Sequence, residues 1–143
     1  MPKIKHIALA TQDPDATAKF YMDVFGMKQI GRIDSPNVVG YHLSDGDLDL
    51  AVLKFKTDAV AGEVGKEFSG LHHVGFQVES LEAITERLAA AGSTPCHTVN
   101  QALGVGDPSK RYANVEVKYN GPDGVMVDVS ETGWAGASGF RPQ

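Results

Sequence analysis

Two histidines stand side by side in "GLHHVGFQVES" (70–80), at the mouth of an apolar run. In a strand, successive side chains point to opposite faces. His72, Val74, Phe76 and Val78 then share one face, and His73, Gly75 and Gln77 share the other. The first face is a core face; the second, an imidazole beside a gap and an amide, reads as the wall of a site. The same alternation in "KIKHIALAT" (3–11) groups His6 with Ala8 and Ala10, opposite Ile7 and Leu9. In "VMVDVSE" (125–131) it groups Asp128 with Met126 and Ser130, opposite three valines. A carboxylate in a β-branched strand is costly to bury without a partner. Two neutral imidazoles and a carboxylate form the donor set that holds a divalent ion and leaves coordination positions open. His6, His73 and Asp128 are therefore the expected metal ligands, and Ala8, Ala10 and Gly75 leave room for a substrate beside them.

The elements that must position these residues read as one pattern used twice. In the first half, strand 3–11 leads through "QDPD" into a helix, "ATAKFYMDVFG" (16–26), stopped by Gly26. Three short strands follow, "MKQIGRI", "VVGYHLSD" and "LDLAVLKF". In the second half, strand 70–78 leads into an amphipathic helix, "SLEAITERLAAAG" (80–92), with Ser80 as cap and Leu81, Ile84 and Leu88 as its stripe. Strands "STPCHTV", "YANVEVKY" and "VMVDVSE" complete it, the last two joined by the turn "NGPDG". His6 lies twenty residues before Gly26, and His73 nineteen before Gly92. Such self-similarity points to duplication of a strand–helix–strand–strand–strand unit. The expected organisation is a single α+β domain: module one at 3–56, a linker at 57–69, module two at 70–131 and a Gly-rich tail at 132–143. The stretch 100–110 is read as a longer loop present only in the second half. The tail is expected to fray, although Trp134 and Phe140 need somewhere to pack.

The motifs "HIAL…DPDATAKFYMDVFGMK", "GLHHVGFQVESLEAITERLAAAG" and "GPDGVMVDV" resemble the vicinal oxygen chelate superfamily. That group contains glyoxalase I, methylmalonyl-CoA epimerase, extradiol dioxygenases, and fosfomycin- and bleomycin-resistance proteins. The resemblance covers residues 4 to 131 and implies paired βαβββ modules that curl into a sheet or barrel around a metal. His6 matches the ligand histidine of the first strand, and His73 the one following "GLH". Asp128 stands where most metal-binding members carry glutamate. Glyoxalase I and the epimerases take a fourth ligand from the fourth strand. Counting four residues from Gly46, as from Gly124, lands here on Leu50, with Asp49 facing away unless the turn is one residue shorter. Three protein ligands are therefore expected.

The resemblance implies a divalent-metal enzyme (Fe, Mn, Zn, Ni or Co) that chelates a small substrate through neighbouring oxygens, in lyase- or isomerase-like chemistry. A small ring-cleaving dioxygenase using Fe(II) and a non-enzymatic drug- or metabolite-binding resistance protein are the alternatives. Open sheet edges and the habit of the superfamily imply a homodimer, with the amino-terminal strands and the 57–69 linker near the interface.

Around the ligands, His42 in "GYHLSD" is the candidate proton shuttle, unless it is a partly exposed strand histidine. Glu116 and Lys118 share a face of "NVEVKY"; they hold a substrate's charge, with Glu116 as a second catalytic group, or form a solvated stripe. Gln77 is a candidate substrate contact. His72, on the apolar face, is expected to pack, and the Cys96–His97 pair lacks the second pair that a zinc site needs. With 13 basic and 18 acidic residues, a net charge of −5 and no basic run, a nucleic-acid or anionic-membrane surface is excluded. A single cysteine fits a reducing compartment. No secretory leader or spanning run is read at the amino terminus or elsewhere, so a cytoplasmic location is expected.

Overall fold

A computed structural model describes residues 1–106 and 116–142. The first module follows the sequence pattern closely: β1 (Lys3–Ala10), α1 (Pro14–Phe25), β2 (Lys28–Asp34), β3 (Val38–Ser44) and β4 (Asp49–Phe55). Helix α1 starts where the Asp13 side chain accepts from Ala16 N, with Pro14 in the first turn, and stops at Gly26 in the left-handed region (φ 70°). The linker contains a short helix, α2 (Asp58–Ala61), capped by the Thr57 hydroxyl. The second module opens with β5 (Gly70–Gln77) and α3 (Leu81–Ala90), which Ser80 caps by accepting from Ala83 N.

The second half then departs from the expected repeat. Residues 93–99 are not a strand: Pro95 makes one isolated bridge to Tyr119, and the chain turns into α4 (His97–Leu103). Proline has no N–H to give a ladder and is disfavoured within a sheet. The Asn100 side chain supplies the missing pairing. Its amide donates to Lys118 O and its carbonyl accepts from Lys118 N, both at 2.9 Å. Strands β6 (Val117–Asn120) and β7 (Met126–Ser130) close the fold. The beginning of the expected strand 112–119 and the end of the expected loop 100–110 lie outside the described residues.

The seven strands of the described residues form one curled sheet in the order β2-β3-β4-β1-β5-β7-β6. Parallel pairs β1/β4 and β5/β7 are the equivalent crossovers of the two modules, and antiparallel β1/β5 joins them. Each long helix covers its own module on the outer face. Helix α1 packs Ala18 and Tyr21 on Leu43, Val52 and Leu50. Helix α3 packs Leu81, Ile84 and Leu88 on Val78, Tyr119 and Val129. On the inner face, α2 and α4 fill one end, where Val60, Ala61 and Leu103 meet Ala8, Ala10, Leu53 and Phe55. The other end carries the polar residues. No helix among the described residues is long and apolar enough to cross a membrane.

Candidate metal centre

Strand register brings the three expected ligands together. His6 pairs with Gly75 across β1/β5, and Gly75 with Asp128 across β5/β7. One row therefore reads His6–Gly75–Asp128, with His73 two residues before the glycine. All three polar side chains are buried, Asp128 completely. His6 Nε2 lies 3.0 Å from His73 Nε2, and His73 Nε2 lies 3.3 Å from Asp128 Oδ2. One donor atom from each falls within 4.8 Å of the others.

Gly75 is where the chain needs the absence of a side chain. A Cβ there would stand 2.7 Å from the Trp134 ring and 2.8 Å from His6 Cβ. The indole fills the gap, stacked on His6 with ring centres 4.8 Å apart and planes 4° from parallel.

His72 does not sit on the apolar face. Ala8 pairs with His73 but Leu9 pairs with Leu71, so His72 is the extra residue of a β-bulge. A bulge re-aims a side chain, and both histidines come to the inner face. His72 Nε2 donates to Ala61 O at 2.7 Å, its Nδ1 meets His73 Nδ1 at 2.7 Å, and its ring packs on Phe55. Burial is the main cause that lowers the pKa of His72, to about 4, and burial likewise holds His73 well below its ordinary range.

The expected phase of β4 is corrected. Asp49, not Leu50, faces the site: it pairs with His6 in the β1/β4 ladder and is buried, whereas Leu50 packs under α1. The turn from Gly46 is one residue shorter than that from Gly124, because Asp45 Oδ1 accepts from both Asp47 N and Leu48 N and tightens it. Asp49 nevertheless lies outside the converging donor set. Its Oδ2 accepts from His6 Nδ1 at 2.6 Å, and both its oxygens lie 3.1 Å from His42 Nδ1. Burial opposes the charge on Asp49, but the hydrogen bonds from His42 and His6 win and hold its pKa below the usual value. Burial likewise opposes protonation of His42, yet its bond to Asp49 leaves its pKa raised. His42 thus sits at the edge of the site, its side chain 28% exposed.

Glu116 and Lys118 turn inward rather than forming a solvated stripe. Lys118 Nζ lies 3.0 Å from Asp128 Oδ2 and 3.6 Å from Glu116 Oε2, while Glu116 Oε1 accepts from Trp134 Nε1 at 2.7 Å. Burial opposes the ammonium, but Asp128 and Glu116 raise the pKa of Lys118. Burial also works against Glu116, which the Lys118 charge nonetheless holds below its usual value. Asp128 goes the other way: burial, aided by the charge of Glu116, pushes it up to about 7 against the pull of Lys118. Among the described residues, two carboxylates share one ammonium, a local deficit of positive charge.

That deficit is the observation on which a divalent ion can be tested. Asp128 Oδ1 is buried with no hydrogen-bond partner among the described residues, and two imidazole nitrogens face each other beside it. Nitrogen–nitrogen and nitrogen–oxygen gaps of this size suit donors about 2.0–2.2 Å from a common ion. The residues fit.

The tail does not fray; it closes the site. Ser44 Oγ donates to Gly136 O at 2.6 Å, Ser138 N to Asp47 O at 2.9 Å, and Lys5 Nζ to Ser138 Oγ at 2.8 Å. Gln77 belongs to this anchorage, its amide donating to Gly139 O and Glu131 O at 2.8 and 3.2 Å. These bonds hold its amide to the tail. A cavity of about 670 Å³ opens beside His72 and Met126, between α2 and α4. Cys96 and His97 also line it, but the thiol donates to Asn120 Oδ1 and His97 is exposed. His72 and Trp134 were not expected in the site, and Asp49 only if its turn were one residue shorter. A turn length, a bulge and a distant tail put them there, and only the short Asp-Gly-Asp turn left a trace that counting could have used.

A family model described as Glyoxalase/Bleomycin resistance protein/Dioxygenase superfamily matches residues 3–129. An ethylmalonyl-CoA/methylmalonyl-CoA epimerase of Cereibacter sphaeroides is 27% identical over 111 residues, 74% of this chain and 78% of the relative. A solved methylmalonyl-CoA epimerase in complex with methylmalonyl-CoA and NH4+ superposes with a TM-score of 0.69 at 21% identity, covering 96% of this chain and 99% of the other. A hypothetical protein from Bacillus halodurans C-125 gives 0.67 at 20% identity, over 90% and 93%.

Proposed function

The chain belongs to the Glyoxalase/Bleomycin resistance protein/Dioxygenase superfamily, and on that footing we propose that it is a divalent-metal-dependent enzyme of isomerase type. His6, His73 and Asp128 hold the ion. The reading rests above all on their convergence in a buried cluster where, among the described residues, Asp128 Oδ1 has no hydrogen-bond partner. A bound divalent ion would supply Lewis acidity, stabilising negative charge that develops on neighbouring substrate oxygens. The chain's own groups move the proton. His42 commits Nδ1 to Asp49, which leaves Nε2 as the nitrogen able to take a proton from a carbon next to a carbonyl. Glu116 comes from the opposite side of the ligand-bearing strands, since β3 and β6 flank β4, β1, β5 and β7. A base on each side suits inversion at carbon: one removes the proton and the other returns it. Lys118, between Glu116 and Asp128, holds the carboxylates in place and offers its ammonium to a substrate oxygen.

The names of the relatives give the first substrate to try. Protein loaded in turn with Co2+, Zn2+, Mn2+, Ni2+ and Fe2+ is incubated with methylmalonyl-CoA in D2O, and deuterium at the α-carbon is read by mass spectrometry. Wash-in that disappears in His42→Ala is expected. Absence of exchange with every ion, despite stoichiometric metal uptake, would sink the epimerase chemistry. A three-donor set with open positions favours a second reading, ring cleavage with Fe(II), and oxygen consumption in the presence of catechol separates the two. Ile4 of the amino-terminal strand and Val64 of the linker are exposed apolar residues. They support a homodimer, which sedimentation tests: a clean 15.2 kDa species would contradict it.

A further inference from the structure

We infer that His72 is a positioning residue that fixes the ring tautomer of His73 and so aims the bare Nε2 of His73 at the metal centre. This rests on reading His6, His73 and Asp128 as an ion site. The chain of donors runs in one direction only. A carbonyl oxygen only accepts, so the contact with Ala61 O puts a proton on His72 Nε2. With that proton on Nε2 and its ring buried against Phe55, where a charged imidazole is disfavoured, His72 presents Nδ1 as an acceptor. The partner at 2.7 Å is His73 Nδ1, which must carry the proton of that bond. His73 is equally buried, and with its single ring proton on Nδ1 its Nε2 holds a lone pair.

His6 reaches the same state by other means, donating Nδ1–H to the carboxylate of Asp49. The two Nε2 atoms are thereby set 3.0 Å apart, close enough for a cation to take a lone pair from each. Outer partners that fix the tautomer of a ligating histidine are a general requirement of metal sites. Here one is a carboxylate and the other a neutral imidazole. The neutral partner adds no negative charge where Glu116 and Asp128 already share one ammonium. The bulge at His72 makes this contact attainable between consecutive residues, whose side chains an unbroken strand would send to opposite faces.

The test compares His72→Asn, which keeps an acceptor near the Nδ1 position, with His72→Phe, which keeps a ring and removes it. Nitrogen-15 NMR of the metal-free protein reads the tautomer directly. His73 is expected as Nδ1–H in the wild type and in His72→Asn, and to shift towards Nε2–H, donating to His6, in His72→Phe. Zinc titration gives the second readout: His72→Phe should lose about 10–100-fold in affinity, and His72→Asn should recover most of it. An Nε2–H tautomer for His73 in the wild type overturns the inference, as does a His72→Phe protein with unchanged tautomer and unchanged zinc affinity. The tautomer is read without an ion. A wild type that took up no zinc would therefore overturn the metal reading, while the NMR result still decided the role of His72.

Discussion

Asp49→Ala separates holding the ion from holding its ligand. Asp49 touches the site through His6 Nδ1 at 2.6 Å, and none of its oxygens belongs to the converging donor set. Truncating it leaves a buried N–H without an acceptor, at a cost of about 1–3 kcal/mol in stability. It also frees His6 to rotate or change tautomer. Loss of such an outer partner typically weakens metal binding about 10–100-fold, or roughly 1.4–2.8 kcal/mol at 1.4 kcal/mol per tenfold. Asp128→Ala is a different lesion: it removes a donor outright and leaves Lys118 with Glu116 alone. Competition titration of Zn2+ or Co2+ against a chromophoric chelator, with bound metal counted by mass spectrometry, measures both. The expected order is wild type, then Asp49→Asn, then Asp49→Ala with weakened but measurable binding, then Asp128→Ala with none at micromolar metal. Equal losses in the two alanine variants would make Asp49 a direct ligand. An unchanged Asp49→Ala would refute the role given to its contact with His6.

Gly75→Ala places a methyl group under 3 Å from both Trp134 and His6 Cβ; it should cost about 1–3 kcal/mol by overpacking and lower metal affinity, and a denaturation midpoint equal to wild type would contradict the packing described. Trp134→Ala removes one of the largest fully buried side chains and should cost about 3–5 kcal/mol while speeding transfer of bound metal to a chelator; an unchanged transfer rate would mean that the tail does not close the site. His72, with a folded pKa of about 4 against 6.5 in the unfolded chain, binds fewer protons when folded, so its contribution makes stability rise with pH across that interval and fall on acidification, by about 3 kcal/mol at most. Asp128 and His42, whose pKa values are raised, act with the opposite sign, so the quantity to measure is the difference between wild type and His72→Asn in urea denaturation at pH 4.5 and 7.5, and parallel pH profiles would contradict the assignment.

The first module was legible because each of its elements carries a local signal: Asp13 and Gly26 bracket the helix, and strict alternation sets the faces of β1. Alternation also placed His73 and Asp128 on the inner face, and put Glu116 and Lys118 together on one face without deciding whether that face was inner or solvated. It failed wherever one residue more or less enters the backbone. The bulge reversed His72, and the tightened turn reversed Asp49 and Leu50. Residues 93–99 read as a strand by analogy with the first half, although Pro95 argued against a central position; the helix there depends on Asn100 reaching the β6 edge. Trp134 gave no periodic signal at all, because its partners His6 and Glu116 come from β1 and the entry to β6.

Trp134 is also the only tryptophan of the chain, and it lies flat on His6 with its N–H on Glu116. The protein therefore carries an intrinsic optical reporter at the place where an ion would bind. Emission from an indole sealed away from water is blue-shifted, and it responds to whatever alters the ring stacked against it. Paramagnetic Co2+, Ni2+ or Cu2+ next to His6 would quench it at contact range, whereas closed-shell Zn2+ would change its intensity without that quenching channel. Departure of the tail into solvent would move the emission to the red. Occupancy of the centre and opening of the tail can thus be followed as two separate spectral changes, in unlabelled protein and in real time.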